Sequence, residues 1–277
     1  MQTSTLTFIG GGNMSRALIS GLLNDQWPAQ HIHVSEPDTA AQDQLRQLNR
    51  ALEITSSNTA AAEQADVLIF AVKPQILAGV IKALQPLIQT SRPLLISIAA
   101  GVRVDSIQRW SGGNSAIVRC MPNTPALVGK GATGLYASAE VSAAQKMLAE
   151  RLLAAVGSTV WVEEEPLMDA VTALSGSGPA YHFLVMEAMQ AAAQQLGLPE
   201  ATARQLSLET ALGSATLAAH SDENFATLRT RVTSKGGTTA AALEVLKQGG
   251  LTQLFLDAMR AAATRANELA EQSGSEL

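Results

Sequence analysis

Gly10, Gly12 and Ser15 stand in the order G-x-G-x-x-S, directly after the apolar run Leu6–Ile9 and directly before a helical pattern that begins at Asn13. In a strand–turn–helix setting that spacing points to a dinucleotide. Gly10 permits a tight turn, Gly12 lets the backbone approach a pyrophosphate, and the helix start offers free N–H groups and the positive end of its dipole. Ser15 is small enough to let helix pack on strand, but it departs from the usual third glycine. Ser35 and Glu36 end the second strand, where the adenosine ribose is read. An acid there favours the bare 2′-hydroxyl of NAD. A 2′-phosphate would find only Ser35, because no arginine or lysine occurs between Arg16 and Arg46. Lys73, in Ala71-Val72-Lys73-Pro74, closes a later strand, and the carboxyl ends of parallel strands are where ligands gather. Asn58 opens the helix before that strand, an N-cap by type and a cofactor contact by position.

The elements that must position these residues alternate through the first half of the chain. Short β-branched runs (Leu6–Ile9, Ile32–Ser35, Val67–Val72, Leu94–Ile98) each precede a helical pattern, which predicts a doubly wound, mostly parallel α/β sheet of Rossmann type. Runs such as Val67–Val72 are apolar without alternation, as strands are when both faces are covered. Ala116–Arg119 and Thr159–Val162 extend the sheet, with a helix at Ala143–Ala155 between them. After Glu163 the strands stop and alanine-rich helices follow, predicting a dinucleotide-binding domain over 1–163 and an all-α domain over 164–277. The many small residues on those helices suit packing against a second copy, so a homodimer is expected.

Composition removes several classes of function. The chain has 277 residues, and 19 Lys and Arg against 24 Asp and Glu give a net charge of −5, which offers no basic field for nucleic acid. The longest apolar stretch, Pro93–Val102, is far short of the roughly 20 residues that span a bilayer, so no membrane segment is expected. No charged n-region precedes the first strand, so no secretory leader is expected either. The single Cys120 cannot form an intrachain disulfide and suits a cytoplasmic location. His31, His33, His182 and His220 make no defensible metal set, so the metal expectation is none. Ser175–Pro179 lacks the spacing of a nucleophile elbow and reads as a helix start.

Further segments are more specific. Phe8–Met14, Ala71–Gln75, Ser97–Gly101, Arg119–Pro125, Asp169–Tyr181 and Val232–Thr239, in this order and spacing, resemble pyrroline-5-carboxylate reductase along nearly the whole chain. The resemblance implies hydride transfer from NAD(P)H to the imine carbon of 1-pyrroline-5-carboxylate, giving L-proline. It implies a Rossmann domain followed by a helical dimerisation domain, with dimers that assemble further to a decamer. It favours NADP(H), while Glu36 leaves NAD(H) open. The cofactor contacts it implies are Gly10, Gly11, Gly12, Asn13, Met14, Ser35, Glu36, Asn58, Ala71, Val72, Lys73 and Pro74, with Ala99, Ala100, Met121, Asn123 and Thr124 near the nicotinamide.

Such a substrate carries a carboxylate and a ring nitrogen that becomes an iminium. Two glycines followed by threonines at a helix start form a backbone nest for an anion with hydroxyls at its rim. Ser234, Gly236, Gly237, Thr238 and Thr239 are therefore the implied substrate contacts, and Thr239 the catalytic residue that hydrogen-bonds the ring nitrogen. Glu165 is carried over as a substrate-pocket carboxylate that stabilises the developing cation. Lys235 stands where the family has proline. Two other functions fit parts of the pattern. One is a related hydroxyacid dehydrogenase, which would need a lysine base between Leu167 and Leu196, where none occurs. The other is a non-catalytic nicotinamide-binding regulator, which would not need the second glycine set.

Overall fold

A computed structural model describes residues 4–275. Eight strands form one sheet: β1 (Leu6–Ile9), β2 (Ile32–Ser35), β3 (Glu53–Thr55), β4 (Val67–Phe70), β5 (Leu94–Ser97), β6 (Ile117–Met121), β7 (Gly131–Ala137) and β8 (Gly157–Trp161). Their order is β3-β2-β1-β4-β5-β6-β7-β8. Every neighbouring pair is parallel except β6 and β7, so the last two strands run against the rest. The strand order reverses beside β1, which places a crevice outside the carboxyl ends of β1 and β4.

Six helices accompany the sheet: α1 (Asn13–Asn24), α2 (Thr39–Leu48), α3 (Asn58–Ala62), α4 (Pro74–Ser91), α5 (Val104–Ser111) and α6 (Ala143–Ala154). The two faces of the central strands feed two cores. Leu6, Phe8, Val67 and Ile69 pack with Leu18, Leu22 and Leu152, while Ile9, Leu68 and Phe70 pack with Leu77, Ile81 and Ile107. That two-sided burial is why these strands carry no polar alternation.

The remaining helices are α7 (Leu167–Val171), which passes into a π turn at Thr172–Gly176, then α8 (Gly178–Gln195), α9 (Glu200–Ala219), α10 (Phe225–Arg231), α11 (Thr238–Gln248) and α12 (Leu251–Ser275). Two units result. The first runs to Ser177 and takes in the chain from Ala261 onward, and the second is Gly178–Arg260. The change of composition at 163/164 therefore falls inside the first unit, where Met168 and Ala173 are buried. In the second unit Phe183, Leu184, Leu212 and Leu217 are all more than half exposed. No helix among the described residues is long and apolar enough to cross a membrane.

Strands β3 and β7 and helix α10 have no counterpart in the sequence reading. β3 is three residues long and lies at the sheet edge, while β7 contains two glycines and is held as a strand by pairing on both sides. The strand expected over Val67–Val72 ends at Phe70, and Thr159–Val162 is observed as Gly157–Trp161.

Candidate active site

The glycine loop sits at the head of the crevice. Gly10 has φ +101°, and its amide donates to the Ser35 carbonyl at 2.8 Å. A Cβ on Gly10 would lie 2.7 Å from the Ala71 carbonyl oxygen, so only glycine lets β1 and the end of β4 approach this closely. Gly12 is the N-cap of α1, and a Cβ there would meet nothing within 4 Å. Open space thus faces a first turn whose N–H groups have no intrahelical acceptor, which fits a pyrophosphate. Ser15 is fully buried, and its hydroxyl donates to the Gly10 carbonyl at 2.6 Å. The serine in place of the third glycine therefore braces the loop. Arg16 donates to the Gly11 carbonyl at 3.0 Å and to the side chain of Asn13.

Glu36 is turned onto the same loop. Its Oε2 accepts from the Gly11 amide at 2.7 Å and its Oε1 from the Asp38 amide at 2.9 Å. The Ser35 hydroxyl donates to Asn58 Oδ1 at 2.6 Å. Asn58 is not the cap of its helix: Ser57 holds that position, accepting from the Ala60 amide, and Asn58 is the first helical residue. Its amide is spent on Ser35 because β2 lies beside the helix start. Lys73 is the exposed N-cap residue of α4, with Pro74 opening the helix and Ala71 and Val72 half-buried before it.

The ends of β5 and β6 are neighbours in the sheet, Ser97 pairing with Arg119. Ala99 is buried and Ala100 exposed after β5. After β6, Met121 is half-buried and Thr124 opens a short 3-10 turn. Asn123 braces this corner, donating to the Ser175 carbonyl at 3.0 Å and accepting from the Ala132 amide at 2.9 Å. Asn123→Ala leaves both partners unmet. It is expected to lower unfolding stability by about 2–4 kcal/mol, read from urea denaturation. Cys120 is buried, and burial pushes its thiol far above the usual range, which disfavours the reactive thiolate.

Glu165 lies just before α7, with Pro166 between them. Its Oε1 accepts from Arg119 Nη1 at 3.0 Å and from the Val104 amide at 2.8 Å. Asp169 Oδ1 stands 3.7 Å from Arg119 Nη2. In the second unit, Gly236 has φ +71° and the Gly237 amide donates to the Ser234 carbonyl at 3.1 Å. That turn sets Gly237 as N-cap of α11, with Thr238 and Thr239 exposed in the first turn. Lys235 is exposed at the same turn.

A protein-family model described as pyrroline-5-carboxylate reductase dimerisation matches residues 165–269, and one described as NADP oxidoreductase coenzyme F420-dependent matches residues 5–101. The chain is 46% identical to pyrroline-5-carboxylate reductase of Pseudomonas aeruginosa, over 99% of this chain and 100% of that one. The chain belongs to the pyrroline-5-carboxylate reductase family. A solved pyrroline-5-carboxylate reductase from Coxiella burnetii superposes with a TM-score of 0.93 at 43% identity, over 97% of this chain and 99% of that one. The Plasmodium falciparum pyrroline carboxylate reductase, solved with NADP bound, gives 0.84 at 30% identity, over 98% and 99%.

Within this reductase the structure brings together the expected residues of the glycine loop, the end of β2 and the end of β4, and separately those after β5 and β6. Ser234–Thr239 lie in the other unit. Arg119 and Asp169 were not among the expected site residues. The signal was available: Arg119 is a cation inside the strand Ile117–Met121, and a guanidinium there requires an anionic partner.

Proposed function

We infer that this chain reduces 1-pyrroline-5-carboxylate to L-proline with hydride from NAD(P)H, the last step of proline biosynthesis. Likeness to pyrroline-5-carboxylate reductases along the whole chain carries this reading. When bound, the reduced nicotinamide supplies the hydride that adds to the imine carbon, while the ring nitrogen ends with a proton. The residues of the chain bind and orient around that event. In the turn Gly10–Met14 the amides at the start of α1, from Gly12 to Met14, hold the pyrophosphate, those of Gly10 and Gly11 being spent on the Ser35 carbonyl and the Glu36 carboxylate, and Ser35, Glu36 and Asn58 meet the adenosine ribose. Ala71, Val72, Lys73 and Pro74 line the crevice between, and Ala99, Ala100, Met121, Asn123 and Thr124 border the nicotinamide. Ser234, Gly236, Gly237 and Thr238 bind the substrate carboxylate through amides and hydroxyls. Thr239 hydrogen-bonds the ring nitrogen, and Glu165 faces the iminium charge.

NADP(H) is the working cofactor, with NAD(H) accepted because the Glu36 carboxylate can also take a ribose hydroxyl. Glu36→Gln is expected to move the ratio of kcat/KM for NADPH over NADH about tenfold toward NADPH, near 1.4 kcal/mol. Steady-state rates with the two cofactors side by side check this. The exposed apolar residues of α8 and α9 fit a second copy, giving a homodimer that assembles further to a decamer in the cytoplasm. Sedimentation tests the assembly, and a monomer would overturn it. The activity itself is tested by cofactor oxidation with 1-pyrroline-5-carboxylate and detection of proline. Cofactor binding without turnover would leave a regulatory homologue.

A further inference from the structure

The side chain of Arg119 is 5% exposed, and the carboxylates facing it, Glu165 and Asp169, are 17% and 14% exposed. Such a group is costly to bury, so its geometry is held by its partners. Both donors to Glu165, the Arg119 guanidinium and the Val104 amide, converge on one oxygen, Oε1. The other oxygen, Oε2, accepts from no group among the described residues and is not sealed from solvent. Asp169 Oδ1, by contrast, is buried with no hydrogen bond among the described residues and stands 3.7 Å from the second arm of Arg119. The guanidinium is thus braced from one side by Asp169 and clamps Glu165 from the other.

We propose that Arg119, braced by Asp169, is a positioning residue that locks Glu165 through Oε1 so that Oε2 is presented to the cationic ring nitrogen of the substrate. The inference rests on Glu165 being a substrate contact and adds how that contact is aimed. A free glutamate would spread its charge over several rotamers; with one oxygen fixed by two donors, the other has a single direction. The Val104 amide opens α5 just beyond the Ala99–Gly101 segment, so the same clamp ties Glu165 to the cofactor side of the first unit.

The test is a double-mutant cycle with Arg119→Gln, Glu165→Gln and both together, reading kcat and KM for 1-pyrroline-5-carboxylate and Kd for NADPH. Each single variant is expected to raise the substrate KM about tenfold with NADPH Kd within about twofold, and the double variant to be no worse than the poorer single. Arg119→Lys, which keeps one charged donor, is expected to recover part of the loss. Asp169→Asn is expected to move KM in the same direction by a smaller factor, and it carries the test if Arg119→Gln does not fold. Single effects that multiply in the double variant, or NADPH affinity that falls in parallel, would overturn the proposal and leave Arg119 a structural residue. If Glu165→Gln leaves KM unchanged in an enzyme that still turns over, the assignment of Glu165 fails, and the clamp with it, while imine reduction stands.

Discussion

Thr239→Ala is expected to lower kcat/KM for 1-pyrroline-5-carboxylate by about 10²-fold or more while NADPH affinity stays within about twofold. The reduction converts a charged iminium nitrogen to an amine, and a hydroxyl bonded to that nitrogen both orients the ring and governs its proton. Losing such a contact costs near 2.7 kcal/mol of barrier for each hundredfold. The fold has little stake in it. Thr239 is exposed in the first turn of α11, its hydroxyl makes no hydrogen bond among the described residues, and alanine is the better helix former. Thermal stability should therefore match the parent protein, so that lost turnover reports chemistry alone. Serine at the same position keeps the hydroxyl and should restore most of the rate. Full turnover by the alanine variant would remove Thr239 from the mechanism and return attention to the amides of the Gly236–Gly237 turn.

Gly10→Ala carries the second large effect, and it acts through the backbone. At φ +101° an L side chain is strained, and the new Cβ would meet the Ala71 carbonyl at 2.7 Å and the Val72 side chain at 3.1 Å. The carbonyl belongs to backbone that follows directly from a fully buried strand, so it cannot swing away as a flexible side chain would. Strain and overpacking together are expected to cost roughly 2–5 kcal/mol of stability. Relief by separating the ends of β1 and β4 would distort the cradle between them, and NADPH affinity should fall by at least about tenfold. Urea denaturation and fluorescence titration with NADPH measure the two effects. Alanine at Gly12 makes the informative contrast: a Cβ there meets open space, so stability should hold while the approach of the pyrophosphate is blocked. A Gly10→Ala enzyme with parental affinity would show that the crevice beside β1 is not the cofactor site.

Local chemistry makes the first half of this protein legible from its sequence alone. Short apolar, β-branched runs of four residues, each followed by a helical period, fit strands covered on both faces, and the observed cores divide their side chains between two layers. The glycine loop was equally plain, because a positive φ and a close backbone approach leave no other residue a choice at Gly10. The Gly236–Gly237 turn before Thr238 and Thr239 was legible as paired glycines at a helix start, and Gly236 takes the positive φ such a turn needs.

What escaped the sequence reading was set by partners distant along the chain. Edge strand β3 and glycine-rich β7 are strands because neighbours pair with them, and Asn58 gives up the cap to Ser57 while its amide serves Ser35, 23 positions earlier. The sequence showed Glu165 as an acid beside a proline, and the family resemblance implied its contact with substrate. Only the folded chain supplied Arg119, 46 residues away, and the Val104 amide, 61 away, as the donors that occupy one of its oxygens. Periodicity and glycine geometry are properties of a few consecutive residues and can be read in isolation. The aim of a buried charge depends on which segments the sheet brings side by side, and that is decided only when the whole domain closes around it.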